Sequence, residues 1–333
     1  MSSSERTAQR FTEFLHARAR GFMRKTYKAN KLRARGIGEE MGIRVPLLLG
    51  QFSSPSDIDF GSLPDRFVLK PTSEFGRRGV YLLHRQPDGG YLDLMSRMVL
   101  SETDIRAELG TFGSRAVEAD APSFLAEELI VGENGPDEIP YDYKFYTFDG
   151  RPELIVQFNR NNVPNGKTVG VAFFRAGFEP LPAGLVRVGD KAAFDSPLRP
   201  SNWEQMIEAA SRIATHMDEA FISVDMYTTG TDTVLGELTP GPGAPYGGTL
   251  FYFVPSFDGE LGGYWRRGLL RRGIPIPSIQ GVPPAIRRHE RDPLVAQRRE
   301  LERLRKLGAP NVRKSLKLLW QATTRKLSAR SAR

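Results

Sequence analysis

The sequence predicts an α+β fold, and three observations lead to that expectation. Short runs rich in β-branched and aromatic residues occur in pairs joined by turn residues, which is typical of antiparallel hairpins. Amphipathic segments with polar residues at their starts lie between these runs and indicate helices. The chain has 333 residues, 40% of them hydrophobic and 26% charged, which suits two or three globular domains. Because antiparallel hairpins and helices are mixed along the chain, the sequence indicates the α+β class.

The first elements are a helix–strand unit and a hairpin. A helix-like stretch begins at Lys31, and the apolar run 43–49 is predicted to be a strand. Residues 67–70 and 80–83 form two β-rich runs, and the connection 71–79 carries turn residues at both ends. We therefore expect a hairpin with a long polar loop.

The strongest hairpin signal lies near the middle of the chain, where the runs 143–148 and 153–158 flank Asp149 and Gly150. Before it, Ser101 and Asp104 predict the start of a short helix. Further strands are predicted at 124–130, 168–174, 221–227 and 234–238, the last two joined by the turn 228–232.

A longer amphipathic helix is predicted before the last two strands. Its start is the capping box of Ser201 and Glu204, and its apolar stripe follows from Met206 to Met217.

The charge is distributed unevenly along the chain. The net charge is +8, but residues 1–35 hold 10 basic and 2 acidic residues, residues 266–333 hold 19 and 4, and the middle holds 18 and 33. A nucleic-acid-binding module would carry its basic residues on its folded face, so we do not expect nucleic acid as a partner. After Pro310 the sequence predicts a basic amphipathic helix, which either packs on the domain or attaches to an anionic membrane surface.

Composition excludes several classes of chemistry. The chain has no cysteine and four histidines without a close pair, so thiol catalysis, disulfides and a Cys- or His-based metal site are not expected. No run approaches the roughly 20 apolar residues of a membrane-spanning helix, and the first residues lack the pattern of a secretory signal. We therefore expect a cytoplasmic protein, with the inner membrane face as an alternative site of peripheral attachment.

Lys70 ends a predicted strand and is followed by a loop that contains Gly76 and Gly79. Glycine lets backbone N–H groups approach phosphate oxygens closely, and a lysine ammonium adds a positive charge. The pattern is compatible with phosphate binding, and also with an ordinary surface hairpin.

Asp225 and Glu237 lie on two neighbouring predicted strands. Alternation puts Asp225 on one face together with Ser223 and Tyr227, and it puts Leu235 and Glu237 on the facing side of the next strand. Two adjacent carboxylates repel each other unless a cation lies between them, and carboxylate oxygens suit Mg²⁺. A solvated acidic strand face is the alternative, although the rigid Gly/Pro segment 239–245 that follows is unusual for a plain strand end.

These segments, taken in order, resemble the ATP-grasp superfamily and most closely its TupA-like branch, which is associated with teichuronopeptide and other cell-surface polymer synthesis. The resemblance covers roughly residues 30–265 and is carried by the segments 67–71 with its loop, 124–128, 141–150, 224–227 and 236–241. It implies an ATP-grasp fold, in which two α+β lobes grip ATP, here with basic helical N- and C-terminal extensions.

The resemblance also implies roles for individual residues. Lys70 contacts the ATP phosphates under a lid of residues 72–79, which include Gly76 and Gly79. The strand 124–130 is the hinge, where backbone groups of Glu128, Leu129 and Ile130 contact adenine, and Glu127 or Asp142 lies near the adenine amine or the ribose. Lys144 is a second basic residue on the nucleotide, and Asp225 and Glu237 hold Mg²⁺ between the β- and γ-phosphates.

Two positions depart from the superfamily pattern. Ser223 stands where many relatives have an arginine, and Thr239 stands where the wider superfamily has a metal-binding asparagine, although threonine is ordinary in the TupA-like branch. Arg160, in a polar stretch after a strand, is the candidate that replaces the missing arginine, and a plain loop arginine is the alternative.

The resemblance implies a carboxylate–amine ligase that uses ATP and Mg²⁺, acts through an acylphosphate and takes small-molecule or polymer-linked substrates, with cell-surface polysaccharide or peptide conjugates as products. The alternatives are a phosphotransferase, and a degenerate scaffold that binds a membrane or nucleic acid through its basic ends. The predicted units are a basic helical arm (1–30), an N-terminal αβ unit (31–66), a small lobe (67–130), a large lobe (131–265) and a basic extension with an amphipathic helix (266–333).

Overall fold

The structure is a computed structural model that describes residues 6–23, 27, 30–72, 78–112, 123–161 and 168–290, with side chains described as far as residue 287. Gly76 and the helix predicted after Pro310 therefore lie outside the described residues. The strands are β1 (Arg6–Thr7), β2 (Leu48–Phe52), β3 (Arg66–Pro71), β4 (Tyr81–Arg85), β5 (Tyr91–Asp93), β6 (Met98–Leu100), β7 (Phe124–Glu128), β8 (Asp142–Phe148), β9 (Arg151–Asn159), β10 (Val169–Phe174), β11 (Val186–Val188), β12 (Ala192–Phe194), β13 (Phe221–Thr228), β14 (Thr233–Thr239), β15 (Phe251–Phe253) and β16 (Ser278–Ile279). The helices are α1 (Phe11–Ala19), α2 (Lys31–Glu40), α3 (Glu102–Gly110), α4 (Trp203–Met217), α5 (Gly243–Gly247), α6 (Pro255–Arg271) and α7 (Pro284–Glu290), with 3₁₀ turns at Pro55–Asp57 and Phe60–Ser62.

Two six-stranded sheets define two lobes, which confirms the α+β class. The small-lobe sheet has the strand order β2-β7-β3-β4-β5-β6, and every neighbouring pair is antiparallel. One of its faces packs on α3 through residues such as Phe67, Leu69 and Ile105. The predicted hairpin of 67–70 and 80–83 is confirmed as β3 and β4.

β2 belongs to the small-lobe sheet as an edge strand, and it begins at Leu48, later than the predicted run 43–49. The earlier residues have other partners. Pro46 has no N–H to donate, and the N–H of Leu47 donates to the Glu128 carboxylate at 3.0 Å. Arg44 forms a parallel bridge with Val234 of β14 instead.

The large-lobe sheet has the order β12-β10-β9-β8-β13-β14 and is antiparallel except for the pair β10–β12. The predicted turn joins β8 to β9, and both of its residues have positive φ, 52° at Asp149 and 81° at Gly150. Ile222, Val224 and Met226 are buried on the face that packs on α2 and α4, as alternation predicts. The opposite face packs partly on α1 and α6, and it carries the residues described below.

The N-terminal segment that the sequence suggests is a basic arm contains α1, which lies in the core of the large lobe. Phe11 and Phe14 are both fully buried, and the Phe14 ring stacks on Trp265 with 5.3 Å between centroids. Two of the basic residues in this segment have acidic partners, since Arg6 pairs with Glu13 at 2.6 Å and Arg18 lies 3.5 Å from Glu219. The expected boundary at 266 falls inside α6, so the basic extension does not begin as a separate unit there.

The two predicted capping boxes have different outcomes. Ser101 and Asp104 cap α3 as expected. The prediction for α4 is wrong, because Asn202 is the N-cap residue and no side chain caps the helix. The Asn202 side chain instead accepts from Thr228 at 2.6 Å and donates to Thr233 at 3.1 Å, so it joins the helix start to the hairpin of β13 and β14.

Candidate nucleotide and metal site

Three charged side chains lie side by side across β8, β13 and β14. The register pairs Asp225 with Lys144 on one side and with Glu237 on the other. Because residues at the same level of adjacent strands project to the same face, these side chains form a row, called here the metal row. The next row along β8 and β13 contains Asp142 and Tyr227, each two residues from its metal-row neighbour.

A β-bulge at Gly236 sets this arrangement. Asp225 lies opposite Glu237 while Met226 lies opposite Leu235, so Gly236 is the extra residue in β14. Leu235 consequently packs with Met226 on the buried opposite face. The expectation that Leu235 and Glu237 share one side is wrong, because the extra residue reverses the alternation.

Lys144 is the centre of the ionic contacts in the metal row. Its ammonium forms an ion pair with Asp225 and a second one with Asp142 at 3.1 Å. Asp225 also accepts a hydrogen bond of 2.7 Å from the fully buried Ser223 hydroxyl. Arg160 lies 3.5 Å from Asp142. The site thus joins the predicted residues Asp142, Lys144, Arg160 and Asp225 in one network.

The carboxylates outnumber the cations around Lys144, and the pKa values reflect this. Burial lowers the pKa of Lys144, but Asp142 and Asp225 raise it by more, so its net shift is upward. Burial raises the pKa of Asp225 to about 6; Lys144 opposes that shift, while Asp142 and Glu237 add to it. Lys144 and Arg160 together leave one excess negative charge among the three neighbouring carboxylates, which would favour a further cation.

The small lobe contributes the other predicted residues. Lys70 forms an ion pair with the buried Glu127, which lies on the adjacent strand β7. Gly79 has φ +67°, and a Cβ added there would lie 2.8 Å from Pro71, so the loop returns closely past the end of β3. Leu129 and Ile130 are both buried at the end of β7.

The side chain of Glu128 is held outside this group. Its carboxylate pairs with Arg44 at 2.7 Å and accepts from Leu47, while its own N–H donates to the Leu47 carbonyl at 2.8 Å. The acidic side chain on β7 that faces a predicted phosphate lysine is therefore Glu127.

Two contacts that the sequence does not signal tie the lobes together. Arg44 bridges Glu128 of the small lobe and Asp232 of the large lobe, the latter at 2.5 Å. Lys31, at the start of α2, donates to the Pro71 carbonyl at 2.8 Å. Each contact joins a surface cation to a residue far away in the sequence, so no local sequence pattern predicts it.

The donor set fits Mg²⁺ bound together with a phosphate group. Among the described residues, Glu237 forms no hydrogen bond or ion pair, and no cluster of three acidic or histidine residues is arranged to hold a metal. Mg²⁺ usually takes one or two protein carboxylates and completes its octahedron with water and substrate phosphate oxygens. Asp225 and Glu237 match that requirement, and Lys70 and Lys144 can balance phosphate charge.

The sequence matches the family model for TupA-like ATPgrasp over residues 22–266, which is most of the chain. The chain belongs to the TupA-like ATP-grasp family. It accordingly has the ATP-grasp fold, with the two lobes described above, and its family uses ATP and Mg²⁺. The match begins after α1, so the first helix of the core lies outside the shared region.

Solved ATP-grasp structures are similar to the chain at low identity. The ATP-grasp ligase PsnB complexed with minimal precursor is 12% identical, with a TM-score of 0.39 over 72% of this chain and 59% of that one. The D-alanine–D-alanine ligase from Bacillus anthracis complexed with ATP is 15% identical, with a TM-score of 0.43 over 73% of this chain and 66% of that one. The chain therefore spans less than two thirds of either protein, and the family assignment rests on the sequence match.

A comparison with curated proteins finds no match. Within the part of the chain that the structure describes, no helix has the length and apolar character needed to cross a membrane.

Proposed function

We propose that the chain is an ATP- and Mg²⁺-dependent carboxylate–amine ligase that releases ADP and phosphate. The observation that carries this proposal is the metal row, in which Asp225 and Glu237 face each other across a bulged strand pair beside Lys144. Membership of the TupA-like family supports the reaction class. Through the association of that branch, we further propose cell-surface polysaccharide or peptide conjugates as the products.

The proposed reaction has two steps. A substrate carboxylate oxygen bonds to the γ-phosphorus of ATP while the bond from that phosphorus to the ADP oxygen breaks, which yields an acylphosphate and ADP. An amine nitrogen then bonds to the acyl carbon, inorganic phosphate leaves, and the nitrogen loses a proton to give the amide.

The acidic and basic residues of the site would have different roles in these steps. Asp225 and Glu237 would hold Mg²⁺, which neutralises charge on the transferred phosphoryl group. Lys70 and Lys144 would bind and orient the phosphates from the two lobes. Arg160, held beside Asp142, would stabilise the phosphorylated substrate in place of the arginine that Ser223 replaces.

The first test is thermal unfolding with and without Mg-ATP. At about 100 times its dissociation constant the ligand stabilises the native state by roughly 2.7 kcal/mol. We expect a shift in the wild type that is lost or much reduced in Lys70→Ala and Glu237→Ala. The exposed residues Lys191 and Glu204 supply matched controls, and their alanine variants should keep the full shift. A folded wild type without a shift would contradict the proposal and favour the scaffold alternative.

The second test separates a ligase from a phosphotransferase. Candidate carboxylates are screened for ADP release with hydroxylamine present, which converts an acylphosphate into a hydroxamate. Hydroxamate formed in proportion to ADP supports the ligase. ADP release that leaves a stable phosphorylated hydroxyl compound, with no hydroxamate, would assign the phosphotransferase instead.

A further inference from the structure

Arg18, near the end of α1, is a charged residue in the core of the large lobe. The residue is 4% exposed, and its guanidinium lies over the Trp265 ring with 4.6 Å to the ring centroid. Glu219 is its acidic partner at 3.5 Å. Burial lowers the pKa of Arg18 to about 10, although Glu219 opposes the shift, so the group stays charged at neutral pH. The proposed reaction gives this cation no role.

The guanidinium contacts the backbone of both strands that carry the metal-row carboxylates. One of its terminal nitrogens donates to the carbonyl of Phe221 at 3.1 Å and also to the carbonyl of Pro240. Phe221 is the first residue of β13 and lies four residues before Asp225. Pro240 directly follows β14 and lies three residues after Glu237. Arg18 therefore joins the two strands a short distance beyond the metal row.

The sequence explains why the two strands need a donor from outside the sheet. The ladder between β13 and β14 ends with the pair Ser223 and Thr239. Pro240 follows, and because proline has no N–H to donate, backbone hydrogen bonds cannot continue the pairing in this direction. The Gly/Pro segment 239–245, which is unusual for a plain strand end, is therefore held at its start by Arg18.

A second contact from α1 reaches the same part of the chain. Nδ1 of His16 lies 3.2 Å from the Tyr246 hydroxyl in α5, and Nε2 lies 3.1 Å from the Gln280 carbonyl. The segment that follows Glu237 thus contacts α1 near both of its ends. Because the family match begins at residue 22, these contacts come from a helix that the shared region does not include.

Stability alone is a weak explanation for a buried arginine at this position. A buried ion pair costs desolvation energy that its attraction often only balances, and apolar residues of similar volume frequently stabilise a core as well or better. An apolar side chain cannot, however, donate to two carbonyls on neighbouring strands. The distinctive effect of Arg18 is therefore a fixed spacing between β13 and β14 beside the metal row.

We propose that Arg18 is a positioning residue for the metal row, through which α1 sets the distance between the Asp225 and Glu237 carboxylates. Four residues along a strand span about 13 Å, so Arg18 acts through the strands and does not contact metal or nucleotide. The inference rests on the proposed function, because it assumes that these carboxylates bind a divalent ion. Loss of the contact should weaken metal binding but not the binding of phosphates by Lys70 and Lys144, which lie on other strands.

The test compares the affinity for Mn²⁺ in the presence of ADP with the affinity for ADP without metal, both in the full chain. The main variant combines Arg18→Met with Glu219→Gln, because removal of Arg18 alone would leave a buried carboxylate unpaired. We expect Mn²⁺ to bind at least tenfold more weakly to this double variant, while metal-free ADP stays within twofold of wild type. Electron paramagnetic resonance of free Mn²⁺ and calorimetry with ADP measure the two affinities, and urea unfolding checks the fold.

Two further variants separate positioning from packing. Glu219→Gln alone removes the ion pair but leaves both carbonyl contacts of Arg18, so both affinities should stay within twofold of wild type. Arg18→Lys keeps the charge beside Glu219 and carries the test if the double variant does not fold. Lysine presents one nitrogen in place of the guanidinium fork, so it should weaken Mn²⁺ binding at least threefold and leave metal-free ADP binding unchanged.

The other outcomes overturn the inference. Unchanged Mn²⁺ affinity in the folded double variant, or in Arg18→Lys where the double variant does not fold, would show that Arg18 has no effect on the metal row. Parallel losses of Mn²⁺ and metal-free ADP would show a general packing role, as would an equal loss in Glu219→Gln alone. A folded wild type that does not bind Mn²⁺ in the presence of ADP would overturn the proposed function itself, and this result is distinguishable because it appears before any variant is made.

Discussion

Lys144 contacts the carboxylates of Asp142 and Asp225 at once, so the carboxylate that we propose as a metal ligand is already paired with an ammonium group. If Asp225 holds Mg²⁺, as proposed above, Mg²⁺ and Lys144 would therefore compete for the same carboxylate. A phosphate group relieves this competition, because it offers Lys144 another anionic partner. On the proposed function, the ion pair would consequently favour binding of metal and nucleotide together over binding of metal alone.

Replacement of Lys144 by methionine should strengthen the binding of a divalent metal ion and weaken the binding of nucleotide. Without the competing ammonium, Mn²⁺ used as a probe should bind at least tenfold more tightly in the absence of nucleotide, since a unit charge near 4 Å contributes about 4 kcal/mol at an effective dielectric constant of 20. ADP, which loses a cationic partner, should bind more weakly. Electron paramagnetic resonance of free Mn²⁺ and calorimetry with ADP measure the two effects.

Lys191→Met is the matched control, because Lys191 is exposed and its backbone N–H, not its ammonium, makes the contact to Thr249. This substitution should change neither the affinity for Mn²⁺ nor the affinity for ADP. If Lys144→Met weakens Mn²⁺ binding instead, Lys144 supports the metal site and does not compete for it.

Alternation along β13 could be read from the sequence, and it correctly places Ser223, Asp225 and Tyr227 on one face. The pairing of Asp225 with Glu237 is also as expected. The position of Leu235 could not be predicted, because a single extra residue at Gly236 reverses the alternation without changing the local composition. Bulges are set by the partner strand and the packed face, and neither is visible in the sequence of β14.

Ser223 is fully buried and donates to Asp225, so the position cannot accommodate an arginine without displacing its neighbours. A small residue at position 223, where the superfamily pattern has arginine, is therefore what the packing of the large lobe allows. That Arg160 replaces the missing arginine stays a prediction; the structure holds it at Asp142, in the row of Tyr227 next to the metal row.

At the scale of elements, hairpins and strands were the most predictable part, because their turns carry specific residues such as Asp149 and Gly150. The burial of the N-terminal helix α1 could not be predicted, because the sequence of residues 1–30 indicated only a basic helical arm. In the structure nearly all of its residues are buried, and Thr12, His16 and Arg18 form hydrogen bonds with distant parts of the chain. Such partners come from distant parts of the chain and leave no local signal.

The contact between α1 and α6 predicts a pH-dependent contribution to stability. Thr12 donates to Asp258 through its N–H at 3.0 Å and its hydroxyl at 2.5 Å. Burial nevertheless raises the pKa of Asp258 from 3.8 to about 6, although these hydrogen bonds oppose the shift. Between pH 4 and 6 the native state therefore binds more protons at this group than the unfolded state, and its contribution to the free energy of unfolding falls as pH rises.

Asp258→Asn removes the titrating group and should remove this slope. The wild type should lose up to roughly 3 kcal/mol relative to the variant between pH 4 and pH 7, since each pKa unit corresponds to 1.36 kcal/mol. Urea unfolding at a series of pH values measures the difference. Glu204→Gln, a change at an exposed acidic residue of α4, is the control, and a difference between wild type and Asp258→Asn that does not vary with pH would contradict the prediction.

For the whole molecule, part of the basic excess is already neutralised within the fold. Arg271 and Arg272 pair with Asp149 at 2.6 and 2.5 Å, and Arg18 is buried next to Glu219. Six further lysines and arginines lie at 291–306 and seven at 309–333, all outside the described residues, and the predicted basic amphipathic helix falls in the second of these segments. This segment is the part of the chain to which the predicted membrane contact belongs.

We predict that the full chain sediments with anionic vesicles and that a chain ending at Gly308 does not. Each basic residue near an anionic surface contributes about 1 kcal/mol, and the attraction weakens as salt shortens the Debye length. Vesicle binding should therefore fall between 50 and 300 mM salt and be absent on neutral vesicles.

The chain ending at Gly308 retains every described element, so Mg-ATP should stabilise it against thermal unfolding as much as it stabilises the full chain. Trp320→Ser, which keeps all charges, separates the apolar contribution from the electrostatic one. Equal vesicle binding by the full and shortened chains would refute the prediction and would indicate that this segment packs on the protein instead.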